Sequence, residues 1–546
     1  MKRIDVSRRF GVSGASLAIA LVCCLLGVAS IYIVSRRYGL GVSIDGVIYL
    51  NAARQVLGGN GVNYVDGNPL VLFPPLFPLL MAAIGTLVSS VESAARIVQM
   101  TLFAGNYLLA ASLLARYVQH RLLLPAFLVL FLVSRTFLLY HYYVLTEALY
   151  VFLTLGMLIL LDRWVEERKS GLIVLASTLA ALSCLTRYVG VANILAGALV
   201  IVWSVKRRPE KAKSAGLFVT VATIPLLLWL ARNILVGGSL TGDRPPSPYP
   251  LVLNLQLAAD CIALWFVPGA VHPSARVTLV VAAAIGCVFA LVRMARHPAF
   301  PSSSRVVLLG SVILAHLFVL IAATTLFASD HINTRFVMPL YVPLVIVIAL
   351  TMSWLVQRSH SSRPFVFAVL AIWMFVQAFT ATRSILTREQ NGVGGFATRD
   401  WHESKVMEFV QKHPNSLSTN AYSNADFAVF YRTGRLVNLL PDRVNPRWSE
   451  DYPREALADR PTIDDVRALV DDPDRSVTLI WFDAATQNQG YEAIYLFNQY
   501  ELEDIVALFR TVPKYEAEDG GVYQLKARSS SHNSPAFYLQ KPRSSG

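Results

Sequence analysis

The sequence predicts a polytopic α-helical membrane protein of about 11 spans, followed by a C-terminal extracytoplasmic α/β domain. Three observations lead there. The 546 residues are 55% hydrophobic and only 15% charged, too apolar for a soluble multidomain protein. Apolar runs of about 20 residues, the length that crosses a bilayer, recur down to residue 385. Charge then changes character: residues 1–385 carry 30 Lys and Arg against 12 Asp and Glu, whereas 386–546 carry 18 against 23. The predicted division is a membrane domain over 1–385 with a first external loop at 35–93, a soluble domain over 386–527, and a disordered tail over 528–546.

Residues 14–34 form the first span. Lys2, Arg3, Arg8 and Arg9 precede it as in a signal peptide, but the further spans make it an uncleaved anchor. The others are predicted at 94–117, 121–139, 144–163, 170–186, 188–205, 215–236, 275–294, 305–328, 337–356 and 364–385. The stretch 70–90, LVLFPPLFPLLMAAIGTLVSS, decides the orientation of everything after it. If it does not cross, the N-terminus and the loops on its side hold 19 of the 30 basic residues, including KRRPEKAK at 206–213. If it crosses, that cluster lies opposite a basic N-terminus, against the positive-inside tendency. Pro74, Pro75 and Pro78 also disfavour a regular spanning helix. The stretch therefore reads as lying along the surface, which places the N-terminus in the cytoplasm and both Asp45 and the C-terminal domain outside.

Basic residues beside apolar spans, with no basic run carrying interleaved aromatics, read as cytoplasmic loops and exclude nucleic-acid binding. The five cysteines lie in apolar stretches without metal-ligand spacing. Residues 251–266, LVLNLQLAADCIALWF, carry a polar stripe (Asn254, Gln256, Asp260) and predict an interfacial helix. Beyond 386, helical patterns at 404–413 and 463–472 alternate with strand candidates at 436–440 and 477–483.

Charges beside spans are expensive and each needs an account. Asp45 follows the first span and has the ordinary explanation of an N-cap. Glu147, in VLTEALYVFL, has that of an acid at the positive end of a helix dipole. Arg187 in CLTRYVGVAN and Arg335 in DHINTRFVMPLYVPL have that of snorkelling to headgroups. Together they form a more specific pattern, because two acids and two arginines map to the outer mouths of different spans. A carboxylate can take the proton of an attacking hydroxyl, or share a divalent cation with a second carboxylate. Arginine forks suit a phosphate leaving group.

The pattern Asp45…Tyr49…Ala53, the glycines 58, 59 and 61, and FPPLFPLLMA at 73–82 resemble the first external loop of C-type (GT-C) membrane glycosyltransferases. The group most similar in pattern is that of bacterial protein O-mannosyltransferases and lipid A aminoarabinose transferases. TEALYVFL (146–153), LTRYVGV (185–191), ARNILVGGSLTG (231–242) and HINTRFVMPLYVPL (331–344) follow in that family's order, so the resemblance covers roughly residues 14–385. It implies a GT-C-like fold with interfacial helices after the first span. It also implies a polyprenyl-phosphate-linked sugar donor, an inverting transfer on the outer face, and an acceptor lipid, polysaccharide or protein of the cell envelope. By position, Asp45 takes the part of the catalytic first-loop acid and Glu147 that of the second-loop acid. Arg187 and Arg335 would contact the donor phosphate, with His331 and Tyr49 in support. Asp45 and Glu147 are also the candidate ligands of a divalent cation. One departure is Gly46 after Asp45, where many relatives carry a second acid nearby. A transporter or flippase of a lipid-linked glycan, and a non-catalytic scaffold of an envelope-synthesis complex, remain the rival readings.

Overall fold

The computed structural model describes residues 14–528, apart from 119, 243, 245, 296–302, 328–329, 442, 445–460, 484–496 and 499. The predicted tail lies outside the described residues beyond Arg528. The chain forms two compact units, Met1–His402 and Glu403–Gly546.

The first unit is helical. It opens with α1 (Gly14–Ser35), α2 (Ile44–Leu57), α3 (Leu76–Gly85) and α4 (Val91–Tyr117). It continues through α5 (Leu123–Val133), α6 (Arg135–Leu139), α7 (Glu147–Glu167), α8 (Ser170–Cys184), α9 (Val191–Ser204) and α10 (Arg208–Gly237). It closes with α11 (Leu251–Ala263), α12 (Pro273–Ala295), α13 (Ser303–Leu326), α14 (Thr334–Arg358, with a 3-10 turn at Met338–Leu340) and α15 (Ser362–Asn391). Among the described residues eight helices are long and apolar enough to cross a membrane: α1, α4, α7, α10, α12, α13, α14 and α15. This is a multi-pass membrane protein. The other three predicted spans are shorter helices. The run 121–139 breaks at Ser134, whose hydroxyl accepts from Phe137 N at 3.1 Å and starts a new helix. Its neighbours at 170–186 and 188–205 hold helices of 15 residues and of Tyr188–Ser204.

The apolar surface follows from the setting. Leu228, Leu235, Phe289, Phe365 and Phe375 are exposed on α10, α12 and α15, as expected where lipid replaces water. The most enclosed of the long helices are α7 and α14, and these carry Glu147 and Arg335 at their first turns. Of the predicted interfacial stripe on α11, Asn254 is buried, donating to Tyr249 O and Thr325 Oγ1. Asp260 accepts two bonds from the buried Arg276.

The stretch 70–90 contains one helix, α3, of 10 residues. At 1.5 Å per residue this spans roughly 15 Å, half a hydrocarbon core. Its prolines sit before and inside the first turn, and Leu76 N bonds back to Leu185 O at 2.9 Å.

The second unit is an α/β domain. A five-stranded sheet has the order β2-β1-β4-β7-β6, built from β1 (Asn420–Ser423), β2 (Asn438–Leu439), β4 (Val477–Phe482), β6 (Arg510–Ala517) and β7 (Gly520–Lys526). Strands β3 (Arg443–Val444) and β5 (Phe497–Asn498) pair separately. β1 runs parallel to β2 and β4, whereas β7 is antiparallel to β4 and β6. Of the strand predicted at 436–440 only β2 forms. The one predicted at 477–483 is the fully buried β4. Helices α16 (Lys405–Lys412) and α17 (Ile463–Asp471) occupy the predicted helical patterns, the latter started by a Thr462–Asp465 capping box.

Because α3 is too short to cross, single cysteines at Asn60 and at Leu87, both exposed, are expected to react with a membrane-impermeant maleimide from the same side of intact cells. Labelling from opposite sides would mean that 70–90 crosses.

Candidate active site

Asp45 lies in the first turn of α2, but the cap is Ser43, whose side chain accepts from Gly46 N at 3.4 Å. The N-cap explanation of Asp45 therefore fails, and its carboxylate is left for a tertiary partner. That partner is Arg335, whose Nη2 stands 2.6 Å from Asp45 Oδ2. Arg335 follows Asn333, which caps the start of α14 by accepting from Arg335 N at 2.9 Å.

The same guanidinium donates through Nε to Glu147 Oε1. Glu147 opens α7 and is fully buried. Its Oε1 also accepts from Arg187 Nη1 at 2.6 Å, and Arg187 Nη1 lies 2.9 Å from Thr146 Oγ1. Arg187 is aimed by a tight return of the chain. A Cβ on Gly190 would stand 2.5 Å from the Ser183–Cys184 backbone, so only glycine allows the 3-10 turn Tyr188–Gly190. The structure thus brings Asp45, Glu147, Arg187 and Arg335 into one chain of ion pairs, from four segments separated by up to 290 residues.

Openness differs between the two acids. The Asp45 side chain is 23% exposed and that of Glu147 is 0%, with Arg335 at 18% and Arg187 at 14%. Of the two acids only Asp45 has an open face, while Glu147 is bonded to both arginines. The helix-dipole explanation of Glu147 and the snorkelling explanation of the arginines are insufficient, because all three are committed to one another.

The supporting residues separate. Tyr49, one turn after Asp45 on α2, is buried with its ring edge-on to Phe73 and Phe77, at 5.2 and 5.5 Å between centroids. It pins the Pro-rich stretch over the site. Burial, and next the charge of Asp45, hold its phenol well above the ordinary value. His331 is buried in the link before α14, and burial lowers its pKa while Asp330 opposes the shift. Asp330, an outward acid of the sequence that was given no role there, precedes His331, and desolvation, and next the charge of Asp45, raise its pKa. Tyr140, which donates to Thr334 Oγ1 at 2.8 Å, was missed. Its signal was faint, a tyrosine in a run of tyrosines.

A cation between Asp45 and Glu147 does not fit this arrangement. Arg335 already bridges the two carboxylates, and two guanidinium groups balance their two charges. Among the described residues no group of three or more His, Cys, Asp or Glu is placed to hold a metal ion.

Two further arginines are differently placed. Arg232 Nη1 donates to Leu70 O at 2.9 Å and Asn233 Oδ1 at 3.1 Å, and Arg244 Nη2 to Leu72 O at 3.2 Å. Tyr188, next to Arg187, completes this group by donating to Val71 O at 2.7 Å and accepting from Trp229 and Asn233. These bonds clamp the first loop at 70–72. Neither arginine forms an ion pair with a carboxylate among the described residues, and burial lowers the pKa of Arg244.

No protein-family model matches the sequence, and none of the curated proteins matches it. Solved structures do match. ArnT from Cupriavidus metallidurans bound to undecaprenyl phosphate superposes with a TM-score of 0.52 at 12% identity, covering 93% of this chain and 97% of that one. The apo oligosaccharyltransferase of Archaeoglobus fulgidus gives 0.50 at 11% identity, covering 94% and 75%. Its complex with Zn and sulfate gives 0.50 at 13%, covering 92% and 72%. The fold is GT-C-like, as the resemblance in the sequence implied.

Removing the shared acid while keeping its shape exposes the coupling. Glu147→Gln leaves Arg187 and Arg335 facing a neutral group, and is expected to destabilise the protein by about 3–5 kcal/mol, the usual cost of breaking a buried pair. Thermal unfolding in detergent would show a lowered midpoint, partly restored by adding Arg187→Met. An unchanged midpoint would show that the pairs do not hold these helices.

Proposed function

We propose that this protein is a glycosyltransferase that moves a sugar from a polyprenyl-phosphate donor to a cell-envelope lipid, polysaccharide or protein at the outer face of the cytoplasmic membrane. The observation that carries this reading is the meeting of Asp45, Arg335, Glu147 and Arg187 in a fold shared with a structure bound to undecaprenyl phosphate. The charges meet at the starts of helices rather than in mid-span, which goes against a transporter.

In this mechanism the acceptor hydroxyl attacks the anomeric carbon on the face opposite the phosphate. Asp45, the exposed carboxylate, takes the hydroxyl proton as the new C–O bond forms. The bond to the phosphate oxygen breaks, its electron pair leaves with the phosphate, and the configuration inverts. Arg335 stands between base and leaving group, and its remaining N–H groups are free to donate to the phosphate. The four-residue cluster is neutral overall, so net positive charge for the phosphate must come from elsewhere. Arg232 and Arg244 supply it beside Arg187, which they approach through Tyr188. Glu147 holds the geometry without touching the substrate.

The orientation places the N-terminus in the cytoplasm and the C-terminal domain outside. It is supported by a second ionic cluster at the far end of α7 from Glu147, where Arg116 pairs with Asp162 and Glu166 at 2.8 and 3.1 Å and Arg305 stands 3.7 Å from Glu166. Fifteen residue steps along α7 from Glu147 to Asp162 separate the two clusters by roughly 22 Å. Arg305 also donates to Arg116 O, and Arg121 and Arg363 lie near His120 at the same end. The C-terminal domain would help select the acceptor.

Asp45→Asn preserves size and is expected to cut release of polyprenyl phosphate from a lipid-linked sugar donor by at least about 100-fold, the lower range for loss of a general base. Membrane insertion and expression should be retained. Undiminished release by that variant would remove Asp45 from the reaction.

A further inference from the structure

Asp45 and Glu147 start different helices, and packing of helix sides does not by itself set those starts against each other. Backbone hydrogen bonds do. Gly41 N donates to Tyr142 O at 2.9 Å and Val144 N donates to Gly41 O at 2.9 Å, so the segments entering α2 and α7 run side by side. The next residue bonds on the opposite edge. Val42 N donates to Gly394 O at 3.2 Å, and Phe396 N donates to Val42 O at 2.8 Å. The segment leading to Asp45 is therefore held from both sides, three residues before the carboxylate.

The outer strand can come this close only because it is glycine. Gly392, Gly394 and Gly395 have φ of +84°, +148° and +60°, conformations that side chains rarely tolerate. A Cβ on Gly395 would run into Val42 O, and one on Gly394 into the Tyr143 hydroxyl. Tyr143 fills the space between the layers. A Cβ on Gly41 would lie 2.5 Å from its ring, its hydroxyl donates to Val393 O at 3.2 Å, and Arg388 lies over the ring while also donating to Val393 O. Gln99 secures the third layer by donating to Tyr143 O and Leu145 O at 2.8 and 2.9 Å.

We infer that Gly392–Phe396, the segment through which the chain leaves its last membrane helix, is a positioning element of the active site. Its bonds to Val42 fix Asp45 against Glu147 and Arg335. The inference rests on the proposed glycosyl transfer, but the clasp itself is a physical contact that can be read without it. Gly394 and Gly395 touch no reacting atom and act through Val42 and Tyr143.

The test compares two glycines of similar φ in the full-length protein. Gly395→Ala must push against Val42, whereas Gly59→Ala (φ +77°) has nothing within 4 Å. Gly395→Ala is expected to lower kcat about 100-fold, the loss that a displacement near 1 Å brings, with KM for the lipid-linked donor unchanged. Gly59→Ala should leave both unchanged. Hydrogen exchange at the Val42 and Phe396 amides should quicken in the first variant and not in the second. If Gly395→Ala does not accumulate, Tyr143→Phe removes only the hydroxyl and should lower kcat about fivefold, the worth of one neutral hydrogen bond. Quickened exchange with kcat intact, or a change in KM alone, would overturn the inference. A parent protein that transfers no sugar yet shows this exchange pattern would sink the proposed function and leave the clasp standing.

Discussion

The guanidinium of Arg335, shared between the carboxylates of Asp45 and Glu147, is the constraint on which the membrane domain turns. A charge buried among apolar helices is costly unless paired, and the cost rises sharply if one partner is lost. Here each charge answers another, so α2, α7, the turn at Tyr188 and α14 cannot shift independently. The enclosure of α7 and α14 is the packing side of the same fact. The helices that open with Glu147 and Arg335 are the two most surrounded by protein among the membrane-length helices described, and the low-dielectric setting strengthens every contact they make.

That constraint also distributes the roles. A carboxylate sealed at 0% exposure is out of a substrate's reach, whereas one that is 23% exposed has an open face. The two arginines proposed for phosphate are likewise half committed before any ligand arrives. Among the described residues Arg232 and Arg244 pair with no carboxylate, and both donate to carbonyls of the first loop.

The sequence made the four charged residues legible because the membrane domain has so few charges that each demanded an explanation. It did not show how they pair. Apolar runs mark Glu147 and Arg335 as costly, but which acid an arginine meets depends on helix packing that hydropathy does not encode. The break at Ser134 was only half visible: Arg135 and Thr136 interrupt the apolar run, but the new helix there depends on the Ser134 hydroxyl accepting from Phe137 N. The prolines of 70–78 were legible, since the missing donors act locally. The glycines of 392–395 carry equally local information, φ above zero, but the sequence reading assigned them to the C-terminal domain, and their partner Val42 lies about 350 residues earlier.

Residues that must be glycine for the sake of a distant backbone leave no periodic signal and no charge, so they are the last to be found. Their effect here follows from the order of contacts. Asp45 takes its direction from Ser43, which caps α2. Ser43 takes its place from Val42, and Val42 is bonded to the chain that follows α15. The route by which the chain leaves the membrane is therefore part of what aims the carboxylate, and the distance between Asp45 and Arg335 is set as much by backbone carbonyls as by the ion pair it closes.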